Sequence, residues 1–304
     1  MSAKRRWQPL ARHTLSAPEA LAVTALRDTC NAVDGLDLKV GLPTVVAEAG
    51  DLTSRPSAFL LYVDDVLGGY CSLDGNEHAV EICGMVAPTH RRRGMGQALL
   101  DAALAACQAD ALAEILLICE EASAAGRAFA AVNGGSREFA EHRLELRDLA
   151  ALQRGLTQEP RLILRRAGRE DAGTLAHTQA SIFAEESEAD ALQTSILEEF
   201  PHPSTRFYLA ELEGKPVSSL KLYREGDRAF IYAFGVLPEY RRRGIARRTL
   251  ASLVADLQAE GITRIGLEVE TTNEPAIALY LTSGFSPITT YGYYRMRLRG
   301  DLPV

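Results

Sequence analysis

The chain writes one short stretch twice. "PTHRRRGMGQALL" fills residues 88–100 and "PEYRRRGIARRTL" residues 238–250, so that the glycines after the two arginine triplets, Gly94 and Gly244, stand 150 positions apart. Sliding the sequence by that interval lays "AFLLYVDDVLGGYCSLDGNEHAVEICGMVAPTHRRRGMG" from Ala58 over "YLAELEGKPVSSLKLYREGDRAFIYAFGVLPEYRRRGIA" from Tyr208 without a gap. A repeat of this length is a domain rather than a solenoid unit. Two domains are therefore expected, 1–155 and 156–304, divided in the polar stretch "RGLTQEPRL" at 154–162.

Both halves carry the same order of local signals. A strand, a tight turn (Asp64-Asp65; Glu213-Gly214-Lys215), a second strand, another turn (Asp74-Gly75-Asn76; Glu225-Gly226-Asp227) and a third strand lead into the arginine loop. Helical apolar spacing follows in "QALLDAALAACQADAL" and "RRTLASLVADLQAEG", then short apolar strands, "EILLIC" and "IGLEVE". Opening helices are expected in "SAPEALAVTALRDTCNAV" and "REDAGTLAHTQASIF", each with acidic residues in its first turn. Each half reads as an α/β unit.

Composition narrows the functions such a pair can have. The formal charge of −7 opposes general nucleic-acid binding, whatever the local arginine clusters do. The five cysteines, Cys30, Cys71, Cys83, Cys107 and Cys119, show no CxxC spacing and predict reduced thiols, no metal site and a cytoplasmic protein. No apolar run approaches a membrane span, and no partner membrane is expected.

The arginine loop itself suggests phosphate chemistry. A glycine turn that feeds a helix aims main-chain N–H groups and the positive end of the helix dipole at one point. Gly94 and Gly244 let an anion approach the backbone, Gly96 and Ala246 keep the next turn small, and arginine side chains can cover remaining charge. A lone arginine triplet is more often a solvated patch. Two of them, each after Val-x-Pro and before a helix, favour a phosphate cradle.

"VLPEYRRRGIARRTL" and "VAPTHRRRGMGQALL" resemble motif A of the GCN5-related N-acetyltransferases, whose pattern is Gln or Arg, two residues, Gly, one residue, then Gly or Ala. The resemblance covers most of both halves. It implies two tandem domains, each with a mixed, mostly antiparallel central sheet flanked by helices, and acetyl-CoA as the acyl donor. It places the pyrophosphate on Arg241, Arg242, Arg243, Gly244, Ile245, Ala246 and Arg247 in the second half. In the first half it points to Val86, Arg91, Arg92, Arg93, Gly94, Met95, Gly96 and Gln97.

The second half continues into "LEVETTNEPAIALYLTSGF", where Asn273 reads as a helix N-cap and Asn273, Ala276 and Tyr280 share a face. This resembles the family's N-x-x-A-x-x-x-Y-x-x-x-G-F segment, which implies that Asn273 and Ala276 meet the pantetheine arm and that the Tyr280 hydroxyl protonates the departing thiolate. In the first half Ser123, Ala130 and Gly135 stand at the positions of Asn273, Tyr280 and Phe285. Chemistry is therefore expected in the second half and, at most, residual cofactor binding in the first. By the same resemblance, the third strand, "AFIYAFGV", splays near Phe234, Gly235 and Val236 to hold pantetheine, with a backbone N–H for the thioester oxygen.

The general base stays open among Tyr232, a carboxylate of "FAEESEAD" and a water chain. Glu268 and Glu270 share a face that reads equally as solvated surface. The second half has no cysteine, which excludes a covalent acetyl-cysteine there and leaves direct attack by an amine in a ternary complex. The acidic "SIFAEESEADALQTSILEEF" favours a small, cationic amine acceptor, and Tyr291, Tyr293 and Tyr294 could wall its pocket. A non-catalytic acyl-CoA-binding module is the alternative.

Overall fold

A computed structural model describes residues 7–43, 55–75, 80–154, 161–183 and 188–298. It divides into two compact units: unit 1 is residues 1–141 with 289–304, and unit 2 is residues 142–288. The expected cut between 155 and 156 lies outside the described residues, and the compact units follow a different division. Each takes a strand end from the other half of the chain.

Unit 1 runs β1 (Leu10–Arg12), α1 (Ala17–Asp34), β2 (Ala58–Val63), β3 (Val66–Gly75), β4 (Val80–Val86), α2 (Met95–Ala109), β5 (Glu114–Glu120), α3 (Ala124–Val132) and the start of β6 (Ser136–Leu146). Unit 2 takes the end of β6 and continues through α4 (Leu149–Gln153), β7 (Leu162–Arg166), α5 (Ala172–Phe183), α6 (Ala189–Glu199), β8 (Thr205–Leu212), β9 (Lys215–Glu225) and β10 (Arg228–Val236). It then adds α7 (Ile245–Ala259), β11 (Arg264–Glu270), α8 (Glu274–Thr282) and the start of β12 (Phe285–Arg297). The end of β12 returns to unit 1, where Tyr291–Arg297 pair antiparallel with Glu120–Glu114 of β5.

Within unit 1 the strand order is β1, β2, β3, β4, β5, then the end of β12 and the start of β6; unit 2 repeats it as β7, β8, β9, β10, β11, then the end of β6 and the start of β12. The pairs β4–β5 and β10–β11 are parallel, and the pairs before them antiparallel. Local chemistry accounts for the elements. Ser16 caps α1 in a capping box with Glu19, and Gly35 ends it in the left-handed region. Asp64-Asp65 and Glu213-Gly214 take positive φ at both turn positions, the geometry that two-residue hairpins require. The apolar stripe of α7, Leu250, Leu253, Val254 and Leu257, packs on Ile231 and Leu267; α2 does the same in unit 1 with Leu99, Leu100, Ala103 and Cys107.

The gapless overlay needs one correction. Ile82 pairs with Leu73 as Ile231 pairs with Leu222, an interval of 149, and the hairpin turns keep that interval. From Val86 and Val236 onward the interval is 150. Between Ile231 and Val236 β10 carries one more residue than β4 does between Ile82 and Val86, at a bulge described below, so Ala58 corresponds to Phe207 rather than to Tyr208.

Gly134 and Gly284 occupy equivalent turns with φ of +87° and +89°. A Cβ on Gly134 would meet nothing within 4 Å, whereas one on Gly284 would run into the Asp148 carbonyl oxygen. Gly134→Ala is expected to cost about 1 kcal/mol through backbone strain alone, and Gly284→Ala at least about twice that. Urea unfolding of the two variants checks the order.

Candidate active site

Both arginine loops are built on alternating backbone. Arg91 and Arg241 are extended, Arg92 and Arg242 take φ of +60° and +61°, and Gly94 and Gly244 take +83° and +73° as they open α2 and α7. Left-handed residues alternating with right-handed ones converge successive N–H groups into an anion-binding concavity at a helix start. A Cβ on Gly244 would meet nothing within 4 Å, so glycine is required there by its φ rather than by space. The residues fit the pyrophosphate of a CoA thioester.

The arginine side chains divide into two groups. Arg91 donates through Nε to the Val86 carbonyl (3.0 Å) and through both terminal nitrogens to Asp34 (2.8 and 2.6 Å). Its hydrogen bonds hold the Asp34 carboxyl below the usual carboxylate range. Arg241 makes the equivalent bond to Val236 (3.0 Å) and a second to the Ile182 carbonyl (2.8 Å). Arg247 donates to the carbonyls of Ala151 and Leu152, and Gln97 to Asp101 and Asn133. These four side chains brace the fold, and their main chain lines the concavity. Arg92, Arg93, Arg242 and Arg243 are exposed and able to cover a phosphate; Met95 and Ile245 are buried and contribute backbone alone.

Beside each loop a parallel strand pair opens. In unit 2 the β10–β11 ladder ends at Ile231–Leu267, and the β10–β9 ladder jumps from Tyr232 to Gly235. Ala233, at φ +46°, and Phe234 stand outside both ladders. This bulge re-aims the main chain at the mouth of the opening. Gly235 lets α5 approach, since a Cβ would strike Ile182, and its carbonyl accepts from Ser218 Oγ (2.6 Å). In unit 1 the β4–β5 ladder of the described residues holds Glu81–Leu116 and Ile82–Leu117 and ends there, and β4 pairs with β3 without interruption. Unit 1 has the opening but not the bulge.

Across each opening lies a short helix with the expected cap. Asn273 Oδ1 accepts from Ala276 N (3.2 Å), and Ser123 Oγ from Gly126 N (3.1 Å). Tyr280 is 7% exposed, meets Phe285 edge-on at 5.8 Å, and has its phenol pushed up to about 12 by burial. Tyr232 is exposed, packs on Phe230 at 4.9 Å between ring centroids and lies under Lys221 Nζ at 5.5 Å.

Ala229 and Ile231 of β10 face the core together with Ile265, Leu267 and Val269 of β11. Phe230, Tyr232, Gly266 and Glu268 therefore share the opposite face, and a Cβ on Gly266 would touch the Phe230 ring at 3.3 Å. Glu268 thus belongs beside Tyr232 where the strands part. The sequence left it open between the site and solvated surface because strand alternation alone does not tell which face meets the opening. On the same face a cavity of about 190 Å³ is lined by Tyr223, Phe230, Tyr232, Glu145, Arg228 and Arg264 among others. Glu185 and Glu186 of "FAEESEAD" lie outside the described residues. The expected acceptor wall at Tyr291, Tyr293 and Tyr294 is not in unit 2: these buried side chains belong to unit 1.

A family model of the acetyltransferase (GNAT) family matches residues 37–134 and 174–285. The chain belongs to that family. It is therefore an acyltransferase by class, in tandem form. The mycothiol acetyltransferase of Clavibacter sepedonicus is 30% identical over 302 residues, covering 94% of this chain and 95% of that protein. The [Ribosomal protein bS18]-alanine N-acetyltransferase of Salmonella typhimurium is 35% identical over 74 residues, 24% of this chain and 50% of that protein. Among solved structures, a GCN5-related N-acetyltransferase from Sphaerobacter thermophilus superposes with a TM-score of 0.73 at 18% identity, covering 97% of this chain and 98% of that one. A tandem GNAT protein from the clavulanic acid biosynthesis pathway gives 0.68, also at 18% identity, covering 97% and 99%. The solved structures support the tandem fold and nothing finer.

Because Gly244 is required by its backbone angle, Gly244→Val is expected to weaken CoA binding in unit 2 about tenfold or more while costing about 1–2 kcal/mol of stability. Calorimetric titration with CoA, together with thermal unfolding, separates the two effects.

Proposed function

We propose that the protein is an acetyl-CoA-dependent N-acetyltransferase whose unit 2 moves the acetyl group to a primary amine of a small molecule by direct attack in a ternary complex. One observation carries this reading: among the described residues, only unit 2 joins to its phosphate-type loop a bulged, opened strand pair and a tyrosine buried on the short helix after β11. Acetyl-CoA supplies an activated acetyl thioester. The main chain from Arg241 to Arg247 binds its pyrophosphate, Asn273 and Ala276 meet the pantetheine arm, and the strand end at Phe234, Gly235 and Val236 offers main-chain donors to charge developing on the thioester oxygen. Tyr280 holds a proton at its hydroxyl and delivers it to the leaving thiolate. Glu268, beside Tyr232, takes the proton of the attacking amine.

Similarity to mycothiol acetyltransferases over nearly the whole of both chains favours a small-molecule acceptor over a ribosomal protein, for which the matching region is short. The sheet face bearing Tyr232 and Glu268 gives the amine its approach. The acidic α6 favours a cationic acceptor, although Glu199 is paired with Lys221 at 3.0 Å. Among the described residues no helix is long and apolar enough to cross a membrane. All five cysteines are free and buried, which agrees with a reducing cytoplasm.

Release of CoA thiol over a panel of amines, including a cysteinyl aminosugar and polyamines, tests the reading. Tyr280→Phe should lower kcat by about 10²–10⁴ with little change in KM, and Glu268→Gln should do the same. Unchanged turnover in Tyr280→Phe would remove the acid assignment.

The pH dependence follows from burial of the phenol. Its folded value of about 12 exceeds the ordinary 10.0, so the neutral form is favoured. That contribution to stability is complete below pH 10 and is lost as pH rises through about 12. The wild-type rate profile should therefore show no alkaline fall attributable to Tyr280 below about pH 10.

A further inference from the structure

Unit 1 encloses a cavity of about 420 Å³, within the range of small-molecule sites. It runs from the arginine loop, at Arg91 and Gly96, between the parted ends of β4 and β5 to core residues Leu99, Leu100, Leu117 and Ala130. Ala130 lines its inner end. The equivalent position in unit 2 holds the buried ring of Tyr280, where unit 1 has a methyl group.

The lining is chemically quiet. The polar groups that reach it are engaged: Asp34 with Arg91, Glu120 with the Asp37 N–H (2.7 Å) and the Thr289 hydroxyl, Lys39 with the Tyr293 hydroxyl (2.8 Å). The thiols of Cys83 and Cys119 also line it, pushed up by burial to about 12 and about 11. They stay protonated at neutral pH and act as apolar surface rather than as nucleophiles. The loop above the cavity keeps the anion-binding main chain, with Arg92 and Gly94 both left-handed. A phosphate cradle thus opens onto an apolar chamber.

We propose that unit 1 binds a CoA thioester of an acyl chain longer than acetyl, its phosphates on the loop around Gly94 and its hydrocarbon tail in the chamber beside Ala130. The thioester is held and not transferred. Unit 1 has Ala130 where unit 2 has the Tyr280 phenol, the Tyr291 hydroxyl that lines its cavity donates to the Asp37 carbonyl (2.7 Å), and β4 has no bulge to re-aim the main chain. This proposal is independent of the role given to Tyr280 in unit 2.

The chain supplies its own reporter. Trp7, the single tryptophan, donates from Nε1 to the Arg93 carbonyl at 2.7 Å and lies directly on the unit 1 loop. CoA, acetyl-CoA and octanoyl-CoA are titrated into the full chain while Trp7 emission is followed. Each methylene removed from water strengthens binding about fourfold, so octanoyl-CoA should bind the Trp7-reported site at least about thirtyfold more tightly than acetyl-CoA. Ala130→Tyr should abolish that advantage and leave affinity for CoA itself unchanged. Ala130→Leu, a smaller filling, should reduce it and guards against loss of folding in the tyrosine variant. Affinity independent of chain length, a Trp7 signal indifferent to octanoyl-CoA, or full octanoyl preference in a folded Ala130→Tyr protein would each overturn the proposal.

Discussion

Everything at the two clefts depends on a parallel ladder that lets go part-way. Parallel pairing holds β10 to β11 as far as Ile231–Leu267 and β4 to β5 as far as Ile82–Leu117, after which the strands diverge. Backbone groups released in this way must find other partners or a ligand, and buried backbone is rarely left unpaired. The neighbouring elements supply some of those partners. The carbonyls of Val86 and Val236 are taken by Arg91 and Arg241, and that of Gly235 by Ser218. The arginine opening each triplet is thus a brace on the strand that precedes it, and the strand, loop and helix start become one rigid assembly with its N–H groups turned outward.

From this common frame the units have diverged by small means. One extra residue in β10 produces a bulge with Ala233 in the left-handed region. One side-chain difference, phenol against methyl, either fills the space under the helix or empties it. The first pair of changes suits charge stabilisation and proton delivery, and the second suits apolar capacity. Neither disturbs the cores, where α2 and α7 present the same stripe at the same interval.

Much of this was legible in the sequence because it is local and periodic. The repeat, the hairpin turns, the helices and the cap at Asn273 each depend on residues close in the chain. The slip from 149 to 150 was not legible. An alanine at positive φ leaves no compositional trace, and an ungapped overlay is insensitive to a shift of one within apolar strands. The side-chain partners of Arg91, Arg241 and Arg247 were not legible for a related reason: a charge beside a phosphate-type turn is easily assigned to the ligand, while carbonyls at Val86, Val236 and Ala151 compete for it. Glu268 needed the pairing of Ile231 with Leu267 before its face could be known. The ownership of Tyr291, Tyr293 and Tyr294 depends on long-range pairing that no local signal encodes.

The exchange of strand ends has a consequence for how the protein comes into being. Unit 1 is made first, yet its β5 waits for residues 291–297 before it has that neighbour. During synthesis the earlier half is left with an open sheet edge while more than a hundred further residues emerge, and an open edge invites wrong pairing. The closing of the first unit is therefore tied in time to the making of the second, and a chain interrupted after either arginine loop yields no finished half.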